Sequence, residues 1–204
     1  MRHPLRRAAN EELLAIRIRR LSNSVGFDDA PFYRRQHGRV PVVGAVYAAT
    51  RLDGILLDSV ERDGDDATAV FAKLVRDSRF YQHIQVVLLQ GVTFAGFNVV
   101  DVPRLAQETR RPVLVVARRQ PNWEKLRRAL LEAVPDGVVK WKRIEGLGPM
   151  EPIAGVYVQR WNVSPEEARL LLERTAIWGR LPEPLRVAHL VAGALARGAS
   201  RGGA

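Results

Sequence analysis

The 204-residue sequence predicts an α/β fold, a mixed five-stranded sheet with helices on both faces. Three observations carry this. Two apolar, β-branched runs, 40–50 and 54–60, are separated only by Arg51-Leu52-Asp53, the pattern of a hairpin. Two later runs, 84–89 and 112–117, are apolar apart from Gln85, as strands buried on both faces are. Between and after them the period changes to a helical one, with Val70, Phe71, Leu74 and Val75 on one stripe over 66–78.

Taken in order, a basic leader (1–20) precedes a short strand, 23–28, that ends in carboxylates. The hairpin follows, then helix 66–78, strand 84–89, helix 102–108, strand 112–117 and helix 121–134 with Leu126, Ala129, Leu130 and Ala133 inward. An antiparallel meander thus feeds two right-handed crossovers. This is the element order of the ribonuclease H-like fold. Beyond 135, segments 138–144 and 153–158 read as paired edge strands around Gly146-Leu147-Gly148-Pro149. Ser164-Pro165-Glu166-Glu167 starts a helix, with serine as cap and proline in its first turn. Pro182 opens the last helix, and 198–204 should fray. No internal repeat or long linker divides the chain, so 1–204 is expected to be one domain.

Composition narrows the chemistry. No cysteine occurs, which excludes disulfides, cysteine-ligated zinc and iron–sulfur clusters and suits a reducing cytoplasm. Any metal must take oxygen or imidazole ligands, which points to Mg2+, with Mn2+ possible. No run of about 18 apolar residues is present, so no membrane partner is expected. The basic N-terminus lacks the apolar stretch of a secretory signal. Lys plus Arg number 32 against 22 Asp plus Glu, a net charge of +10 that fits a nucleic-acid partner. Lysine occurs only at Lys73, Lys125, Lys140 and Lys142; the rest are arginine, whose planar fork matches phosphate. Arg2, Arg6, Arg7, Arg17, Arg19 and Arg20 crowd the start, while Arg110, Arg111, Arg118 and Arg119 bracket strand 112–117.

Four motifs offer chemistry. Asp28 and Asp29 end the first strand, and because strand side chains alternate, only one can face a shared metal; either can instead cap the turn at Pro31. Asp63, Asp65 and Asp66 crowd a helix start, where one is a cap and the rest repel unless a cation intervenes. Gly91 to Asp101 sets Gly96 between Phe94 and Phe97, rings that either stack a base or pack in the core, and Asp101 sits where the next helix begins. Finally, Pro182-Glu183-Pro184 precedes a helix carrying Arg186 and His189 on one face.

In this order the motifs resemble one family. Gly-x-Asp-Asp-Ala-Pro-Phe (26–32), Asp-Gly-x-Asp-Ala-Thr (63–68), Phe-Ala-Gly-Phe-Asn-Val-Val-Asp (94–101), the proline-led strand 112–117 and Pro-Glu-Pro-Leu-Arg-Val-Ala-His (182–189) are similar to those of endonuclease dU, a largely archaeal family related to endonuclease V. The likeness spans about 20–201. It implies a ribonuclease H-like fold and a magnesium-dependent DNA-repair endonuclease that incises DNA at deoxyuridine, the deaminated form of deoxycytidine. The family's Gly-hydrophobe-Asp pattern favours Asp28 as metal ligand. One departure from the endonuclease V pattern stands out: the strand ending at Leu89 should close on a metal-binding Asp, and Gln90 stands there.

With Asp28 favoured by the resemblance, the chemistry of the motifs suggests a site of Asp28, Asp29, Asp66, Asp101 and His189, with metal on Asp28, on Asp63 or Asp66 of the second cluster, and on Asp101 unless it only caps its helix. His189 would support the metal's hydration or protonate the leaving oxygen. Arg118, Arg119 and Arg186 would hold phosphates. Asn98, whose amide oxygen can accept from N3–H and whose amide nitrogen can donate to O4, would either read uracil, with Phe94 and Phe97 around the flipped base, or bond backbone to hold its loop. The competing expectation is a non-catalytic nucleic-acid-binding protein that keeps the fold, which Gln90 favours. A small-molecule phosphohydrolase is disfavoured by the lack of a Walker-type glycine loop.

Overall fold

The computed structural model describes residues 21–33 and 38–200; the arginine-rich leader and residues 201–204 lie outside the described residues. A seven-stranded mixed sheet runs through the molecule in the order β3-β2-β1-β4-β7-β9-β8. Its strands are β1 (Asn23–Asp29), β2 (Arg39–Ala48), β3 (Arg51–Glu61), β4 (Val86–Gln90), β7 (Val113–Ala117), β8 (Glu151–Ile153) and β9 (Val156–Trp161). The short strands β5 (Thr93–Phe94) and β6 (Asn98–Val99) form a separate ribbon. Helices are α1 (Ala67–Arg76), α2 (Val102–Thr109), α3 (Trp123–Ala133), α4 (Gly137–Glu145), α5 (Pro165–Thr175) and α6 (Glu183–Arg197).

The expected five strands are present as β3-β2-β1-β4-β7, with β1, β4 and β7 parallel and β1-β2-β3 antiparallel. The two further strands form a hairpin added at β7. Segment 138–144 is not an edge strand. It lies in α4, where Lys140 and Ile144 turn inward at i, i+4 and Val138 and Val139 face out. The segment 153–158 is split by the Ala154–Gly155 turn, both residues at positive φ. The β2–β3 turn falls at Ala49 and Thr50, so Arg51, Leu52 and Asp53 are strand residues. Ala133 is exposed rather than inward.

Alternation along the central strands builds two apolar layers. Val87, Leu89, Val113 and Val115 face one layer with Phe27, Phe71 and Phe94, under α1 to α4. Val86, Leu88, Leu114 and Val116 face the other, with Leu171 and Leu172 of α5 and Leu185 of α6. Phe27 stacks on Phe71 at 4.5 Å, and Phe94 meets Phe71 edge-on at 4.7 Å. Ser164 closes a full capping box with Glu167 at the start of α5. Gly198 ends α6 in the left-handed region, so this part of the expected frayed tail is an ordered helix cap. Among the described residues no helix is long and apolar enough to cross a membrane.

Candidate active site

Parallel β1, β4 and β7 bring their C-terminal ends, Asp28–Asp29, Gln90 and Arg118, to one edge of the sheet. Ligands of open α/β sheets bind at that edge. Asp28 is 5 % exposed and its Oδ2 lies 2.7 Å from His189 Nδ1. An ionised carboxylate only accepts, so Nδ1 carries the proton and donates. One glycine makes this contact possible. A Cβ at Gly26 would stand 2.5 Å from the Pro184 carbonyl carbon and 2.7 Å from Leu185 N. Glycine there lets α6 lie directly on β1. One turn later His189 reaches Asp28.

Asp29 points the other way, as strand alternation requires. Its Oδ2 accepts the Ala95 N–H at 2.8 Å. Burial and the adjacent Asp28 push the Asp29 carboxyl up to about 6. Burial also raises Asp28, against the opposing pull of His189. Gln90 follows Leu89, the last β4 residue paired with β1 (at Phe27), and by strand alternation shares the face of Leu88. Its Oε1 is buried with no hydrogen-bond partner. Arg118 is exposed just past β7, close enough that its charge lowers Asp28.

The other acidic residues have different occupations. Asp63 Oδ1 accepts the Phe97 N–H at 2.9 Å, and its own N–H donates to Ala95 O. Gly96 adopts a φ of 91°, and a Cβ there would also meet that Asp63 carboxylate, so glycine suits the position on both counts. Asp66 Oδ1 accepts from Asn98 Nδ2 at 2.7 Å and Glu61 N at 3.0 Å, and Arg39 lies 3.1 Å from Oδ2. Asp65 pairs with Arg143, which holds its carboxyl below the usual range. Asp101 caps α2 by accepting the Arg104 N–H at 3.0 Å. These residues clamp the 91–98 loop and start helices; they do not converge on Asp28. Among the described residues, no three His, Asp or Glu side chains come together as a ready metal cage.

The base-reading expectation also meets a packed interior. Asn98 is fully buried, its Oδ1 accepting Ala67 N at 3.0 Å and its Nδ2 donating to Glu61 O and Asp66. Phe94 is fully buried, whereas Phe97 is partly exposed. Neither Asn98 nor Phe94 presents an edge to a ligand in this arrangement. Arg186 is likewise committed, forming two 2.7 Å bonds to the buried Glu183 carboxylate. Arg119 is exposed beside Arg118.

Lys140 was not singled out as a site residue, yet it is 1 % exposed and donates to the Asp63 carbonyl at 2.8 Å, with Asp136 Oδ1 at 3.2 Å. Its i, i+4 spacing from Asp136 was the available signal. A cleft of about 740 Å³ lies at the opposite end of the sheet, lined by Gln85, Arg110, Arg111 and Asn162, away from every residue above.

Comparison with known proteins accords with this geometry. The family model described as endonuclease dU matches residues 20–196. A UPF0215 protein of Deinococcus radiodurans is 51 % identical over 183 residues, covering 90 % of this chain and 93 % of that protein. One from Methanosarcina barkeri is 40 % identical, with 87 % and 92 % covered. A crystal structure from Archaeoglobus fulgidus superposes with a TM-score of 0.78 at 36 % identity, covering 85 % of this chain and 97 % of that one. Endonuclease V from Bacillus subtilis shares the fold at a TM-score of 0.57 and 12 % identity, covering 96 % and 93 %. Ciona intestinalis endonuclease V, solved with DNA containing an inosine, does so at 0.52 and 14 %, covering 90 % and 94 %. The ribonuclease H-like architecture read from the element order therefore stands. The family-model match spans nearly all of the described chain, and the chain belongs to the endonuclease dU family.

Proposed function

We propose that this protein is a divalent-metal-dependent DNA endonuclease that incises at deoxyuridine. The observation that carries the reading is the Asp28–His189 pair at the carboxyl end of the central strands, beside an unpartnered buried amide oxygen and exposed arginines. The family's name supplies the lesion. The oxygen donors of this face, Asp28 and Gln90 Oε1, suit a hard cation such as Mg2+ or Mn2+. When bound, such a cation supplies Lewis acidity toward a phosphate oxygen and offsets the transition state's charge.

The chain's own groups do the rest. Asp28 fixes the His189 ring through Nδ1, which leaves Nε2 to take a proton from an attacking water or to return one to the leaving oxygen. Arg118 and Arg119 stand where a phosphate would be drawn to the pair. A second reading, a DNA-binding module without incision, is favoured by the lack of three converging acidic or imidazole ligands among the described residues.

An oligonucleotide with a single deoxyuridine, and matched strands with deoxycytidine or thymidine, separate the two. Magnesium-dependent nicking is expected only at deoxyuridine. Asp28→Asn should lose at least about 100-fold in rate while binding DNA as before. Binding without any nicking would leave the module reading standing; near-native cleavage by the variant would remove Asp28 from the chemistry.

A further inference from the structure

Lys140 is a buried charge that the proposed chemistry does not use. Its side chain is 1 % exposed, where an apolar residue would serve packing alone at less cost. Its Nζ donates to the Asp63 carbonyl at 2.8 Å and lies 3.2 Å from Asp136 Oδ1. Arg143, one turn further along α4, bonds the Asp65 carboxylate at 3.1 Å. Two cations of one helix therefore grip the 63–66 turn, whose Asp63 holds a positive φ of 56°. The same turn holds the 91–98 loop, through the Phe97 N–H and the Ala95 carbonyl. What these bonds seat is the α3–α4 hairpin. Gly137 lets its corner close, since a Cβ there would collide with the Leu130 carbonyl, and Trp123 meets Trp141 edge-on at 6.5 Å. Only Leu130 of α3 is fully buried, and α3 packs chiefly on α4. Apolar contact thus fixes the hairpin's place only weakly.

From the end of β7 into α3 the chain carries exposed Arg118, Arg119, Lys125, Arg127 and Arg128 against Glu124 alone. Such a run of basic residues suits a phosphate backbone. Resting on the DNA-binding part of the proposed function, we propose that Lys140 is a positioning residue: it seats the α3–α4 hairpin on the 63–66 turn so that Arg127 and Arg128 reach the DNA. Being buried, Lys140 cannot touch a phosphate itself. It acts through the arginines that its hairpin carries, and the two kinds of residue must then fail together. The buried charge specifies where the hairpin docks, a role that an apolar side chain of equal length would not fill.

Anisotropy of a labelled deoxyuridine oligonucleotide with the full-length protein tests this, over a salt series without divalent metal so that no strand is cut. Replacing Arg127 and Arg128 together by Ala should lower affinity roughly ten-fold and make the salt slope shallower by about 2, at about 0.9 per phosphate. Lys140→Met should do the same, although it removes no exposed charge. All three substitutions combined should lose no more than either set alone, because independent sites add and coupled ones do not. Asp65→Asn gives a second arm should Lys140→Met fail to fold. Removing an acidic charge raises DNA affinity by electrostatics alone, whereas freeing Arg143 from the turn should lower it. Additive losses, wild-type affinity in Lys140→Met, or tighter binding by Asp65→Asn would overturn the inference. Nicking assayed separately in magnesium keeps the two proposals apart. Coupled losses without nicking leave the positioning role and remove the nuclease; nicking at deoxyuridine with additive losses does the reverse.

Discussion

Asp28 and Asp29 are neighbours in sequence, but one lies under α6 against His189 and the other accepts a backbone N–H from the 91–98 loop. Their environments set a measurable pH dependence. The Asp29 carboxyl is raised to about 6, above the ordinary value near 3.9. Its folded form therefore binds a proton more tightly than its unfolded form. That contribution to stability is full below about pH 4 and is lost as pH rises through about 6. Asn at this position keeps an acceptor for Ala95 but cannot ionise. Asp29→Asn should flatten the pH–stability profile between pH 4 and 7, removing on the order of 2 kcal/mol of slope across that window. Chemical unfolding at several pH values checks it; parallel wild-type and variant curves would mean that Asp29 titrates normally.

At the scale of elements, the contact that makes the site is helix on strand. Gly26 admits the first turn of α6 onto β1, with Pro184 and Leu185 backbone where a side chain would be. Backbone cannot rotate away as a side chain can, so Gly26→Ala must push α6 off the sheet. About 1–3 kcal/mol of destabilisation is expected, or a melting temperature lower by roughly 2–4 °C per kcal/mol for a chain of this size. Incision should fall further than stability, since His189 is displaced from Asp28. An unchanged melting temperature would show that the helix has room. The outer strand β3 shows a different use of side chains. Ser59 C=O accepts from Arg39, Ser59 N–H donates to Asp58 Oδ1 at 2.8 Å, and Glu61 is satisfied by Asp66 and Asn98. Residues expected to bind metal or read a base instead occupy backbone groups that a foreign strand would otherwise pair with.

Across the whole molecule the charge of +10 is the dominant long-range feature. Among the described residues, Arg118, Arg119, Arg127 and Arg128 are exposed along the segment from the end of β7 into α3, next to the Asp28 edge. If this is the DNA surface, log affinity should fall linearly with log salt, with a slope of about −0.9 for each phosphate neutralised. Arg119→Ala should reduce that slope by about 1 without altering the proposed preference for deoxyuridine. A flat salt response would detach the basic charge from DNA binding.

How much of this was legible in the sequence follows from the range of the forces involved. Apolar periodicity, caps and prolines act within a few residues, so the central strands, the α1 stripe and the Ser164 capping box could be read directly. The same local rules failed at 138–144, where a two-residue apolar pair in a short amphipathic helix resembles a strand. Motif order carried the family, and with it Asp28 and His189 as candidates. What the sequence could not assign was occupation: Asn98, Phe94, Asp63, Asp66 and Arg186 look like site residues by type, and each is spent on packing or hydrogen bonds. Only the tertiary structure decided that, because Asp28 and His189 are 161 positions apart and meet only once α6 lies on Gly26. The sequence by itself determined the central strands, most of the helices, the net charge and the family. Which carboxylate faces His189, and that Gln90 Oε1 is left without a donor, depend on strand alternation and register, which long-range packing alone fixes.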